Sequence, residues 1–263
     1  MAFTKITYEV AEDIATISLN DPKTMNAAGI DTVSEMSLAL EMAGDEARCT
    51  IITGTGRGFC SGANLSPNMS EGGGPKGKPD AGKALDSHYN PLIKAMRTHP
   101  HPIITAVNGA AAGVGCSIAL MGDFIIAGES GYFLQAFRRI GLVPDGGSTF
   151  LLPRMAGRAR AMEMTLFGEK VFAKEALEWG LINRVVADDT LMDEARAYAQ
   201  KLADGPTQAL SLIRDLVWQS EDNDFDSQLQ AERFAQRTAG RQPDFKEGVT
   251  AFLEKRPANF RGV

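Results

Sequence analysis

Two stretches of this chain are built to bring main-chain N–H groups up to a ligand. They are Gly58-Phe59-Cys60-Ser61-Gly62-Ala63-Asn64-Leu65 and Asn108-Gly109-Ala110-Ala111-Ala112-Gly113-Val114-Gly115. Each follows an apolar run, Thr50–Thr53 in the first case and Ile103–Val107 in the second. Small side chains let a ligand approach the backbone and leave N–H groups free to point at it. Two such turns meeting in space make a two-donor site for an oxyanion. Each turn alone reads equally well as a place where a strand and a helix pack closely. Taken together, each followed by a helix whose N-terminus adds positive potential, they favour a ligand site.

A third segment runs from Phe133 to Ser148 and holds Asp145 between Pro144 and Gly146-Gly147, just before an apolar helix-like run. In isolation that aspartate reads as a turn or N-cap residue. Beside two oxyanion donors it becomes a candidate base. Other chemistries find less support. Gly113-Val114-Gly115 starts like a dinucleotide fingerprint, but Ile118 stands where the third glycine belongs. In Gly58-Phe59-Cys60-Ser61-Gly62 the serine falls one place too late for a nucleophile elbow. His88, His99 and His101 all precede residue 102, which rules out the hydrolase order of serine, acid, histidine. His99-Pro100-His101 lacks metal-ligand spacing and reads as a solvated loop. No metal site is expected.

The elements that must position these residues follow from periodicity. Residues 3–10 and 13–19 alternate apolar and polar as a β-hairpin. Ile30, Val33, Met36 and Leu40 predict a helix over 30–43, with Asp31 as N-cap. Strands at 49–53, 103–107 and 123–127 are apolar throughout, as strands covered on both faces are, and each leads into a tight turn and a helix. This threefold pattern predicts stacked ββα units. The Gly/Pro-rich stretch 66–83 reads as a surface loop and a candidate lid. From about residue 189 the chain turns helical, with amphipathic segments 189–204, 206–219, 224–240 and 242–255. The division expected is a ββα core over 1–190 carrying the site and a helical region over 191–263 for oligomerisation and ligand covering.

Length, 263 residues, and a hydrophobic content of 44% suit one large domain, or one with a helical appendage. A formal net charge of −6 disfavours a nucleic-acid surface. Three cysteines, Cys49, Cys60 and Cys116, lie in or beside apolar runs and are expected as buried thiols of a cytoplasmic protein. Neither a leader-like N-terminus nor an apolar span of membrane length is seen, so no membrane partner is expected.

At these residues the chain resembles the enoyl-CoA hydratase/isomerase (crotonase) superfamily. The resemblance runs through Leu19-Asn20-Asp21-Pro22-Lys23, Asn26-Ala27, Phe59 to Ala63, Val107 to Gly115, Asp123 with Ile125 to Ala127, Gly141 to Pro144, Ala173 to Gly180, and Gly248 to Arg256. It implies an α/β fold, a crotonase-type spiral of ββα units with C-terminal helices. It also implies an acyl-CoA thioester substrate, with coenzyme A as part of that substrate and no separate cofactor. The family's oxyanion donors fall on the N–H groups of Ala63 and Val114, with Gly113 and Gly115 shaping the second turn. Ala27, Asn64, Leu65 and Phe137 match substrate-binding positions. Lys23 matches a position near the CoA moiety, and Phe252 and Lys255 match the helix that reaches CoA, often across a subunit interface. Assembly as a homotrimer or a dimer of trimers is implied as well.

Departures from the pattern are informative. The two glutamates of a hydratase would stand at Ser117 and Phe137. Serine without a partner is no strong base, and phenylalanine is none. Gln135-Ala136-Phe137, Pro144-Asp145 and the run Leu152 to Ala161 look most like the 1,2-epoxyphenylacetyl-CoA isomerase branch, which carries an aspartate at this place. The resemblance thus implies isomerisation with Asp145 as proton shuttle. Phe133, Phe137 and Leu142 are expected as an apolar wall that raises its pKa. Alternatives are a hydratase with altered groups, a nucleophilic Asp145, and a non-catalytic acyl-CoA or RNA binder.

Overall fold

Glu12 and Asp13 both take positive φ, 52° and 61°. A two-residue turn of that hand matches the twist of the strands it joins. It closes β1 (Ile6–Ala11) onto β2 (Ile14–Leu19), antiparallel, from Ala11↔Ile14 out to Ile6↔Leu19. The computed structural model describes residues 3–64 and 80–262. Leu65 and most of the expected 66–83 loop lie outside the described residues. Asp80 to Gly82 lead into a helical segment that starts at Lys83.

Helix α1 (Ile30–Glu46) buries Val33, Met36 and Leu40, with Ala39 and Ala43 completing the stripe. Gly29 holds the N-cap position in an extended conformation. Asp31, expected there, stands instead in the first turn, where a carboxylate meets the positive end of the helix dipole.

The threefold pattern is then read out in space. Its first unit is β3 (Cys49–Gly54) and β4 (Gly58–Cys60), then a π-helical turn at Leu85–Tyr89 running into α2 (Asn90–Arg97). The second is β5 (Ile103–Val107), β6 (Ala110–Ala112) and α3 (Val114–Leu120). The third is β7 (Phe124–Gly128), β8 (Tyr132–Leu134), a 3-10 turn at Ala136–Ile140, and helices α4 (Ser148–Met155) and α5 (Gly157–Phe167). Short β9 (Lys170–Phe172), α6 (Ala173–Glu178) and β10 (Arg184–Val186) close the core.

The first strand of each pair joins a six-stranded sheet, β1-β2-β3-β5-β7-β10, and the second joins a four-stranded sheet, β4-β6-β8-β9. Every step from one unit to the next is parallel, Ile51↔Ile104 in the large sheet and Cys60↔Ala111 in the small one. The chain therefore spirals, and β3 and β5 are buried on both faces. A tight stack of small strands leaves no room for side chains between turns. A Cβ on Gly115 would lie 2.7 Å from the Cys60 Cβ and 2.8 Å from its sulfur.

Helix α7 (Leu191–Ala203) lays Ala195, Ala199 and Ala203 against Ile51, Ile104 and Ile126 of the large sheet. Helices α8 (Thr207–Gln219), α9 (Phe225–Ala239) and α10 (Pro243–Glu254) follow close to the expected bounds. Pro206 and Pro243 sit at helix starts, and Asp224 caps α9 by accepting from the Ser227 N–H at 2.8 Å. Phe225, Phe234, Phe245, Phe252 and Leu253 on α9 and α10 remain exposed.

The histidine pair corrects the sequence reading. His99 and His101 form no solvated loop; they are 4% and 2% exposed. The loop between α2 and β5 runs beneath α8, whose Arg214 donates to the His99 carbonyl at 3.0 Å and pairs with Asp123 at 2.6 Å. His99 Nε2 meets the Thr50 hydroxyl at 3.2 Å, and His101 Nε2 donates to the Ala43 carbonyl at 2.9 Å. Burial pushes the His99 pKa down to about 3. Cys49, Cys60 and Cys116 are free and buried, as expected, and burial pushes their thiols up to between about 11 and about 12.

Candidate active site

Because β4 and β6 are neighbours, the two small-residue turns leave the sheet side by side. A Cβ on Gly113 would lie 3.7 Å from the Gly62 Cα, so the two backbones are in contact. Gly113 takes φ 54° and ψ −129°, a conformation open essentially to glycine alone, and it turns the chain sharply into α3. Val114 is then the first helical residue, whose N–H has no partner within the helix. Ala63 forms a parallel bridge with Ala28, in which the Ala28 N–H donates to the Gly62 carbonyl at 2.7 Å. Among the described residues, neither the Ala63 nor the Val114 N–H is taken up by a backbone carbonyl.

Asp145 stands against the second turn. A Cβ on Gly146 would lie 3.4 Å from Val114 Cγ2 and 2.7 Å from Ser117 Cβ, so the segment after Pro144 packs on the first turn of α3. The carboxylate oxygen Oδ1 is buried with no hydrogen-bond partner among the described residues. Burial alone pushes the Asp145 pKa up to about 6. An unpaired carboxyl poised near neutrality suits a general base.

The walls are partly as expected. Phe137 is buried, and its Cζ would lie 3.9 Å from a Cβ on Gly113. Phe133 lies in the main core. Leu142 departs from expectation: it is exposed, because the 3-10 turn before it ends at Gly141 in a left-handed conformation and sends the chain outward. Tyr89 carried no sequence signal. It is buried, donates its hydroxyl to the Ala28 carbonyl at 2.7 Å, and has its pKa pushed up to about 12 by burial first and then by the nearby Asp145 charge. Tyr89 also lines a cleft of about 330 Å3 with Ala27, Gly29, Thr32, Asn64 and Ala84. Ala27 and Asn64 thus share one opening beside the Ala63 turn.

A model of the enoyl-CoA hydratase/isomerase family matches residues 9–263. The chain belongs to that family. Its two-sheet spiral with C-terminal helices is the crotonase fold expected from the sequence, and the enoyl-CoA hydratase of Bacillus anthracis superposes with a TM-score of 0.89. That structure is 28% identical, with 99% of this chain and 100% of that chain covered. The 1,2-epoxyphenylacetyl-CoA isomerase of Escherichia coli is 44% identical, over 96% of this chain and 97% of its own length. A protein of Rhodobacter capsulatus described as a probable enoyl-CoA hydratase is 43% identical over 100% of both chains. Relatives of nearly equal identity thus carry names from both reaction types, and the residues at the site must separate them.

The positions singled out from the sequence resemblance fall in three places. Asp145, Ala63, Val114, Gly113, Gly115 and Phe137 cluster around the two turns. Lys23 is exposed on a 3-10 turn, Pro22–Thr24, behind which Asn26 is locked by donating to the carbonyls of Thr55 at 2.9 Å and Gly58 at 2.7 Å. Phe252 and Lys255 are not brought to this cluster within one chain. Phe252 is 83% exposed and lines a separate apolar groove with Phe245, Val249 and Phe260, while Lys255 ends α10 with φ 55°. Among the described residues, no group of three or more His, Cys, Asp or Glu could hold a metal, and no helix is long and apolar enough to cross a membrane.

Proposed function

We propose that this enzyme isomerises acyl-CoA thioesters, with Asp145 as the single proton-carrying group. The observation that carries this reading is the buried, unpartnered Asp145 oxygen beside a turn whose Val114 N–H is free. The thioester carbonyl accepts from the N–H groups of Ala63 and Val114. Such an oxyanion hole stabilises the enolate that forms when a proton leaves the α-carbon, each donor being worth about 3–4 kcal/mol in the transition state.

For a 3-enoyl thioester the Asp145 carboxylate takes a proton from C2. The C–H electron pair spreads through the C3–C4 double bond and onto the thioester oxygen. The Asp145 carboxyl then returns the proton at C4, and the electron pair settles as a C2–C3 double bond. No atom and no electron is gained or lost, so the CoA of the substrate is the only coenzyme the step calls for. The substrate of the Escherichia coli relative, an epoxide of phenylacetyl-CoA, also suits this site, because Phe137 and Tyr89 offer aromatic surface for a cyclic acyl group. Hydration fits poorly. Adding water requires groups that hold and activate it, and Ser117 and Phe137 supply no carboxylate.

The outlying positions fit a CoA carrier reached across a subunit boundary, with Lys23 on one side and Phe252 and Lys255 of a second copy on the other. Exposed apolar side chains on α9 and α10 support assembly as a homotrimer or a dimer of trimers, and sedimentation equilibrium would measure it. The functional test offers the purified enzyme 3-enoyl-CoA, 2-enoyl-CoA and 1,2-epoxyphenylacetyl-CoA. Double-bond or ring isomerisation faster than hydration is expected. Hydration of 2-enoyl-CoA as the dominant reaction would overturn the proposal.

A further inference from the structure

A carboxylate that works as a base must be held still, yet no hydrogen bond from the described residues reaches the Asp145 Oδ1, and burial is the one influence on its proton affinity. The chain after it offers little stiffness, since Gly146 and Gly147 both take positive φ, 59° and 81°. Restraint comes instead through the main chain. The Asp145 carbonyl lies 2.9 Å from the Ser117 hydroxyl and 3.0 Å from the Ser148 hydroxyl, and it accepts from the Ser148 N–H at 3.2 Å. The two hydroxyl oxygens lie 2.6 Å apart, and the Gln135 amide donates to the Ser148 oxygen at 3.0 Å. Ser117, Ser148 and Gln135 are each 0% exposed. They come from α3, from the start of α4 and from just after β8; the two serines reach the carbonyl, and Gln135 holds Ser148.

We infer that Ser117 and Ser148, braced by Gln135, are positioning residues that fix the Asp145 carboxylate by gripping its own carbonyl. This rests on the proposed role of Asp145. The proton count supports it. One serine must donate across the 2.6 Å contact. Whichever does so, the other holds the one hydroxyl proton left for the Asp145 carbonyl, so the two serines act on it as a linked pair. The arrangement also gives a chemical reason for serine at position 117. An ionised glutamate only accepts hydrogen bonds and has nothing to donate to a carbonyl.

The experiment compares Ser117→Ala, Ser148→Ala and the double variant with Asp145→Asn in the isomerase assay. It records kcat, KM, the acid limb of the pH–rate profile and the thermal midpoint. Each single variant should lose about 3- to 10-fold in kcat. The double should lose about 10²-fold or more, beyond the product of the singles, the scale expected when a catalytic group is displaced by about 1 Å. KM should stay within about threefold, and the acid limb should move to lower pH as water reaches the loosened carboxylate. Wild-type kcat and an unmoved acid limb in the serine variants, with only the thermal midpoint lowered, would overturn the inference. If the double variant fails to fold, Ser117→Ala decides, because it keeps the Gln135–Ser148–Asp145 bonds. In that variant an unchanged kcat and acid limb refute the inference, and a lowered kcat with a moved limb upholds it. The two readings fail separately. An active Asp145→Asn refutes the base, whereas an inactive Asp145→Asn beside wild-type-like serine variants refutes the grip alone.

Discussion

Replacing Asp145 by asparagine should move activity and stability in opposite directions. The substitution keeps shape and removes the charge. A rise from 3.8 to about 6 means that folding raises the free energy of the ionised form. At 1.36 kcal/mol for each factor of ten, that cost reaches about 3 kcal/mol above pH 6. The side chain is half-buried, so solvent screening reduces it to about 1–2 kcal/mol. The sign follows from proton counting. Between pH 3.8 and about 6 the folded chain holds a proton that the unfolded chain has released, so stability falls as pH rises through that window. Below it the cost is absent, and above it the cost is complete. Asp145→Asn should therefore raise the thermal midpoint at pH 7.5 by roughly 3–6 °C. The gain should shrink to about half by pH 5. Isomerase turnover should fall by about 10² to 10⁴, the range of a lost general base. Scans at pH 7.5 and pH 5, at one protein concentration, together with steady-state kinetics, test both arms. Retained turnover refutes the base. A variant that is less stable than wild type, or equally shifted at both pH values, refutes the desolvated carboxylate.

Three further outcomes follow from the geometry. Gly113→Ala meets no neighbour closer than 3.7 Å, so its effect is conformational. Holding alanine at this φ and ψ should cost about 1–3 kcal/mol in urea unfolding, and kcat should fall at least about 10²-fold as the Val114 N–H turns away. Arg214→Met strips the buried partner from Asp123 and leaves the Arg97 and His99 carbonyls without a donor, so a loss of about 3–5 kcal/mol in the same assay is expected. His99, neutral when folded down to about pH 3, makes stability fall as pH drops from 6.5, by about 2 kcal/mol at pH 5. That slope should flatten in His99→Gln, measured in the Asp145→Asn background because Asp145 pulls the other way.

Much of this architecture is legible because its signals are local. Three apolar runs without polar alternation read as strands covered on both faces, and β3, β5 and β7 are buried along nearly all their length. The Gly/Ala turns announce close backbone approach, which the Gly115–Cys60 contact bears out. What escaped was set by tertiary partners. Nothing in His99-Pro100-His101 says that Arg214, more than a hundred residues later, will fold down over it. Tyr89 reads as an ordinary polar aromatic until the Ala28 carbonyl is seen to satisfy its hydroxyl. Ser117 looks like the loss of a catalytic glutamate. Its use becomes visible only when the Asp145 carbonyl arrives from another unit.

That contrast bears on how a reaction changes on a fixed scaffold. The two N–H groups proposed as donors, those of Ala63 and Val114, belong to the backbone of the spiral, and a sequence that keeps Gly113 and the β4–β6 pairing keeps that backbone. The protonating groups belong to side chains and can move. Here the carboxylate proposed as base lies on the segment leading into α4, and Ser117 on α3 is the residue proposed to support it. The carbonyl of Asp145 is hydrogen-bonded while its buried Oδ1 is not. A side-chain partner would lower the pKa and blunt the base, whereas a backbone anchor fixes position and leaves proton affinity to burial. Restoring a glutamate at position 117 alone should therefore not restore hydration. It would remove one donor from the Asp145 carbonyl and place a second carboxylate beside the first, raising the proton affinity of both. An enzyme that gained water addition from that single change would show that the support described for Asp145 is dispensable.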